Sequence, residues 1–204
     1  MKFYYDLHIH SCLSPCADDL MTPASIAGMA KLGGLDICAL TDHNSVKNCR
    51  AFSRACDFYG VIPLFGMELT TSEDVHMICL FSSLDTASEF GNFVDTVKIG
   101  YRNKPEIFGR QLIMDEDDNV LGTEELLLIN AAGIGLAEAF IRSSSSAGSF
   151  LSEARVIRHI STERQTELFR CSALFRRTPD LRHMSLTAKT ISTSISGNIR
   201  ISQT

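Results

Sequence analysis

Short apolar runs alternate with longer segments of helical period over the first hundred residues. Phe3 to Ile9 reads as a strand that ends in His8-Ile9-His10. Thr22-Pro23 opens a helix, with Thr22 as N-cap and proline at the first helical position, and Gly33-Gly34 stops it. Leu35 to Leu40 is a second strand that runs into Thr41-Asp42-His43. Ser45 to Tyr59 predicts a second helix closed by Gly60, and Val61 to Leu69 a third strand with Glu68 near its end. Val75 to Phe81 is a fourth strand beginning with His76, and a helix from Leu84 to Val97 follows. The order β-α-β-α-β implies parallel strands joined by crossover helices, an α/β fold. Ligands in such folds bind at the C-terminal edge of the strands, and the first three polar clusters fall there. His76 stands at the start of its strand, a position that makes sense if this strand runs opposite to the others.

The rest of the chain is less regular. Met114-Asp115-Glu116-Asp117-Asp118-Asn119 reads as an exposed turn, because it lacks the glycine and spaced ligands of a calcium loop. Glu124 to Phe140 is apolar and in part helical. Beyond Phe140 a serine-rich stretch begins, Ser, Thr and Arg dominate, and acidic residues almost vanish. The expected division is therefore a domain over residues 1–140 and an atypical tail over 141–204, poorly packed or read from a shifted frame. Ile191 to Ser196 alternates like a strand without a regular unit before it. The tail is basic, but its arginines are scattered and no aromatic platform accompanies them, so it does not read as a nucleic-acid surface.

A chain of 204 residues can build one proper core, and a net charge of −5 supplies no bulk attraction for duplex nucleic acid. No apolar run is long enough to span a bilayer, and the first residues lack a signal-peptide stretch, so the expected location is the cytoplasm. The cysteines number 7, an odd count with no paired CxxC motifs, which argues against a disulfide framework. Cys38 and Cys79 read as small core residues. Cys12 and Cys16 follow His10 in one loop; loop packing is the preferred reading, with a metal or redox role as the weaker one.

The chemistry lies in histidines and carboxylates. His8 and His10 are two apart, so a strand puts both on one face as a chelating pair. Asp18 and Asp19 in the next loop offer hard oxygens, His43 and Glu68 come from the next two strand ends, and His76 adds a nitrogen. Such a set suits zinc, manganese or iron. Each residue alone reads as a surface polar group or a cap; four separated segments converging on one rim make the set informative. There is no Gly-x-Ser-x-Gly elbow and no phosphate-binding glycine-rich loop. A cysteine nucleophile would need one histidine, not several.

Asp6-Leu7-His8-Ile9-His10-Ser11, Thr41-Asp42-His43-Asn44, Gly66-Met67-Glu68-Leu69-Thr70 and Val75-His76-Met77-Ile78 resemble the motifs of the PHP (polymerase and histidinol phosphatase) family. The resemblance is close to about residue 85 and looser to about Phe140. It implies a distorted (βα)7 TIM-like barrel, incomplete in this chain, holding two or three divalent metal ions. His8 and His10 would bind one ion, His43 and His76 another, with Glu68 bridging. Asp18, four residues before Thr22-Pro23, is preferred to Asp19 as the loop ligand. Asp6 and Asp42 would orient their neighbours. The implied reaction is phosphoester hydrolysis by metal-activated water, with His8, His10, His43 and Glu68 acting through the metal. The implied substrates are small phosphorylated compounds or short oligonucleotides. The family's later histidine motif and closing Asp-x-His are missing after His76; His159 and His183 lack that context. Two rivals follow. One is a non-catalytic metal-binding or interaction domain. The other is a metal-dependent amidohydrolase, against which the Gly-x-Glu-x-Thr strand and the Thr-Asp-His-Asn turn speak.

Overall fold

The computed structural model describes residues 2–145 together with the strands Arg155–His159 and Ser196–Arg200. Along the chain the elements are β1 (Lys2–Ile9), α1 (Pro23–Leu32), β2 (Ile37–Leu40), α2 (Cys49–Tyr59), β3 (Ile62–Thr70), β4 (His76–Phe81) and α3 (Leu84–Val97). They continue as α4 (Pro105–Phe108), β5 (Leu112–Met114), β6 (Val120–Thr123), α5 (Leu136–Ser145), β7 (Arg155–His159) and β8 (Ser196–Arg200). The result is a mixed α/β fold whose sheet curls as a half-barrel. The strand order in this six-stranded sheet is β7-β4-β3-β2-β1-β8, and β5-β6 form a separate ribbon.

Local chemistry accounts for the helices. The Thr22 side chain accepts from Ser25 N–H and proline stands in the first turn, so α1 begins where the sequence places it. Ser83 caps α3 in the same way through Thr86 N–H. Gly60 ends α2 at φ 69°, a left-handed conformation that glycine adopts without steric cost. The second helix starts at Cys49 rather than Ser45. Asn44 takes φ 45°, which turns the chain, and the Asn48 side chain bonds to other segments rather than capping the helix.

Parallel pairing joins β1 to β2 and β2 to β3, as the β-α-β-α-β order requires. All four residues of β2 are buried, the signature of a strand covered on both faces. Cys38 and Leu40 face a core with Ile26, Phe52, Met67 and Phe90, while Ala39 faces a smaller cluster with Ile78 and Leu80. β4 runs antiparallel to β3, as the position of His76 anticipates. Only the short 71–75 connection separates the two strands, and a turn of that length can join antiparallel neighbours but not parallel ones. The register sets Thr70 opposite His76 and Glu68 opposite Ile78, so Glu68 and His76 share one face of the ladder.

Between Glu124 and Phe140 the helix begins only at Leu136. Ahead of it the backbone is irregular, with a turn at residues 128–129, and side chains hold it: Gln111 Nε2 donates to the carbonyls of Glu124 and Leu126, and Asn44 Nδ2 to those of Leu128 and Asn130. The acidic stretch is the turn between β5 and β6, where Asp115 accepts from the Asp117 and Asn119 N–H groups. The short helix α4 has no counterpart in the sequence reading. In the tail, β7 pairs with β4 and β8 with β1, both antiparallel. The strand pattern from Ile191 lies outside the described residues up to Ser196.

Gly66 marks where β3 and β4 pack most tightly. A Cβ there would lie 2.4 Å from the Cys79 carbonyl oxygen and 2.9 Å from Leu80 Cδ2. Backbone cannot step aside as a flexible side chain does, so Gly66→Ala should destabilise the fold by about 1–3 kcal/mol in a denaturant titration. An unchanged midpoint would show that the two strands tolerate separation here.

Candidate metal centre

The C-terminal ends of β1 and β3, the start of β4 and the loop after β2 converge on the Glu68 carboxylate, which is 3% exposed. His8 Nε2 lies 2.7 Å from Glu68 Oε2, and His10 Nε2 lies 3.0 Å from the same oxygen. The two Nε2 atoms are themselves 3.0 Å apart. His76 Nδ1 is 2.7 Å from the other oxygen, Oε1. His43 Nδ1 is 3.9 Å from Oε2, too far for a hydrogen bond, and is buried without a hydrogen-bond partner. A parallel backbone bridge between His43 and Glu68 sets these two side chains beside each other. The imidazoles of His10 and His43 are stacked with centroids 4.6 Å apart.

Two sets of donors emerge. His8, His10 and Glu68 form one, and His43, Glu68 and His76 the other; within each, ligand atoms lie within 4.8 Å of one another. Glu68 belongs to both. A third set joins His10 and His43 to Cys16 at the same spacing.

Proton counting shows what these atoms are suited to. Ser14 Oγ spends its proton on Asp42 Oδ1 at 2.7 Å, so toward His10 Nδ1, 3.2 Å away, it acts as an acceptor for that ring's N–H. In the neutral ring this leaves the His10 Nε2 lone pair facing both His8 Nε2 and Glu68 Oε2. Two lone pairs 3.0 Å apart repel unless a proton or a cation lies between them. The donor chemistry and the orphaned His43 nitrogen therefore fit divalent cations bound by imidazole and carboxylate.

Without a cation, a proton takes its place between the imidazoles and Glu68. Burial by itself would raise the Glu68 carboxyl, but hydrogen bonds from His10, His76 and His8 outweigh it and hold the group well below the usual carboxylate range. The bond to Glu68 raises His76. Burial, reinforced by the neighbouring His10, lowers His43 to about 3, so this ring is neutral and able to donate a lone pair.

Behind the histidines stands Asp42, fully enclosed. It accepts from Ser11 N–H at 2.7 Å, Ser11 Oγ at 2.6 Å and Ser14 Oγ. Ser14 Oγ in turn accepts from the His43 backbone N–H at 3.0 Å. One carboxylate thus positions the loop after β1 and, through Ser14, touches both His10 and His43. Burial raises the Asp42 carboxyl, and the serine hydrogen bonds counter it. Asp6 Oδ1 accepts from the His8 backbone N–H at 3.1 Å. Sequence reasoning passed over Ser11, Ser14, Asn44, Asn48 and Gln111. The available signal was polar side chains crowded beside the motifs in segments too short to present them all to water.

The loop aspartates lie elsewhere. Asp18 is exposed, and its Oδ1 accepts from Leu20 N–H at 2.8 Å. Asp19 pairs with Arg110 at 2.6 Å. Neither joins the three donor sets; from this loop, Cys16 does. His159 occupies the register position opposite His76, and His183 lies outside the described residues.

Residues 6–169 match the family model of the PHP domain. The chain is 30% identical over 105 residues to an error-prone DNA polymerase of Symbiobacterium thermophilum, a match over 49% of this chain and 9% of the polymerase. The chain thus spans less than a tenth of that curated relative. Among solved structures, a protein of Bifidobacterium adolescentis assigned as a metal-dependent phosphoesterase is 25% identical with a TM-score of 0.37, over 46% of this chain and 34% of that one. A lesion-specific endonuclease of Pyrococcus furiosus is 27% identical with a TM-score of 0.40, over 48% and 27% respectively.

His43 also sets a pH dependence. The unfolded chain protonates it near the ordinary 6.5 and the folded chain only near about 3. Its contribution to stability is therefore complete above pH 6.5 and is lost as pH falls toward 3. In chelator-treated protein, the stability of wild type relative to His43→Gln should decline across that window. Parallel stability curves would show that burial does not keep the ring neutral.

Proposed function

The chain belongs to the PHP domain family, and from that premise we propose that it is a metal-dependent phosphoester hydrolase. The observation that carries the reading is Glu68 standing between two donor sets, with Oε2 toward His8 and His10 and Oε1 toward His76. His8, His10 and Glu68 would hold one divalent ion; His43, His76 and the same carboxylate would hold a second. Manganese, zinc and iron all suit imidazole and carboxylate. Bound ions of this kind bring the pKa of a water toward neutrality and offset charge on phosphoryl oxygens.

The protein's own residues supply position and access. Asp42 and Ser14 fix the tautomer of His10, so that Nε2 presents its lone pair to the centre. Asp6 braces the backbone of His8. The side chains of His8, His10 and His76 are 16%, 18% and 19% exposed, so the rim is open enough for a phosphoester to reach it. A small phosphorylated compound or a short oligonucleotide is the proposed substrate class. A distorted (βα)7 TIM-like barrel, incomplete in this chain, belongs to the same proposal, as does the division into residues 1–140 and a tail. No helix among the described residues is long and apolar enough to cross a membrane.

The missing closing Asp-x-His keeps a second reading in play: a domain that binds metal without turnover. Metal analysis of the purified chain, followed by assays on phosphomonoesters and phosphodiesters with added manganese, separates the two. Hydrolysis that chelation abolishes supports the enzyme. Bound metal with no turnover supports the binding domain, and no bound metal defeats both.

Two substitutions sharpen this test. His8→Ala should sharply reduce bound metal, and unchanged metal content would count against the centre as drawn. Ser14→Ala, which removes only the hydroxyl behind His10, should weaken metal affinity by about 10- to 100-fold. Undiminished affinity there would mean that the Asp42–Ser14 chain does not orient the ligand.

A further inference from the structure

We propose that Cys16 is a metal ligand, its sulfur joining His10 and His43 on a divalent ion, so that one side of the centre is thiophilic. The inference rests on the metal-centre reading above and adds a donor to it.

The loop after β1 is routed to make this possible. Ser11 N–H and both serine hydroxyls are tied to the buried Asp42. Backbone bonds from Ser14 N–H to the Ser11 carbonyl, and from Ala17 N–H to the Ser14 carbonyl, then fold the chain back on itself. The fold-back delivers Cys16 Sγ to within 4.8 Å of ligand nitrogens of both His10 and His43. Cys12, four residues earlier in the same loop, is instead enclosed in an apolar cluster with Leu112 and Met114. The two thiols thus have different surroundings, and only one faces imidazoles. The loop's carboxylates are committed elsewhere, Asp18 to Leu20 N–H and Asp19 to Arg110. A second observation points to a cation beside this ring: His43 is 4% exposed and its Nδ1, 3.9 Å from Glu68 Oε2, has no hydrogen-bond partner.

The chemistry is balanced simply. On coordination the Cys16 thiol gives its proton to solvent as the metal–sulfur bond forms, and no oxidant or reductant is needed. A donor set of two imidazoles and one thiolate favours zinc, cobalt or cadmium over manganese, whereas His43, Glu68 and His76 alone do not discriminate in that direction. His10 and His43 also belong to the two sets that meet at Glu68, so an ion beside Cys16 would draw on rings assigned above to those sets, in an environment unlike that between Glu68 and His76.

Cobalt(II) titration of the full-length chain tests this without reference to activity. The wild type should develop a near-ultraviolet sulfur-to-cobalt charge-transfer band along with the visible bands of nitrogen- and oxygen-bound cobalt. Cys16→Ser should lose the first and keep the second, while Asp18→Asn keeps both. Cobalt bound by the wild type without the charge-transfer band overturns the Cys16 assignment and leaves the histidine centre standing. A band that survives in Cys16→Ser places the sulfur donor on another cysteine and overturns it equally. Failure to bind cobalt at all overturns this inference together with the metal-centre reading.

Discussion

Glu68 is an anion in the buried half of a strand whose neighbours Met67 and Leu69 are fully enclosed. A carboxylate is tolerated in such a place only where opposite charge or strong hydrogen-bond donors surround it. Here three imidazoles do so, and a fourth stands just beyond hydrogen-bond distance. This requirement ties together four segments distant in sequence. β1 must end beside β3, the loop after β2 must bring His43 alongside Glu68, and β4 must run backwards so that His76 arrives from the other side. The polar centre and the sheet topology are therefore one constraint.

Asp42 plays the complementary part from beneath. It is buried, yet it faces hydroxyls and a backbone amide rather than imidazoles. Its neighbours consequently face the metal-binding side by relay: Ser14 accepts from His10 and from the His43 backbone, while Ser11 accepts from Asn48 at 3.0 Å. Asn48 continues to Leu112 and Met114, and Asn44 reaches Leu128, Asn130 and Thr70. A chain of side-chain amides thus fastens the 111–130 segment to the floor of the site. Such networks are stabilising only when complete, because each unpaired buried group costs about 1–3 kcal/mol.

Much of the fold is legible in the sequence. Thr22-Pro23 and Ser83 mark helix starts through caps whose geometry is local, and Gly60 marks an end because the position needs a left-handed backbone. The parallel order of β1, β2 and β3 follows from the helices between them, and the reversal of β4 follows from the brevity of the turn before it. Legibility failed where distant side chains override local pattern. The apolar stretch from Glu124 looked helical, but Gln111 and Asn44 capture its carbonyls. The start of α2 moved because Asn48 was engaged across the site.

The kind of chemistry is written in the residue types and their spacing. His8 and His10 at a two-residue spacing, His43 after β2, Glu68 in β3 and His76 at the head of β4 are donor types at strand ends, and strand periodicity settles which face they share. Tertiary structure alone decided which atoms meet. Whether the loop after β1 offers Asp18 or Cys16 to the histidines is set by a backbone path anchored on Asp42, about thirty residues away in sequence, and no local period encodes such a distance. The role of Ser14 has the same origin. A hydroxyl's partners are chosen by what folding brings within about 3 Å of it, and the pattern of apolar and polar positions does not record that.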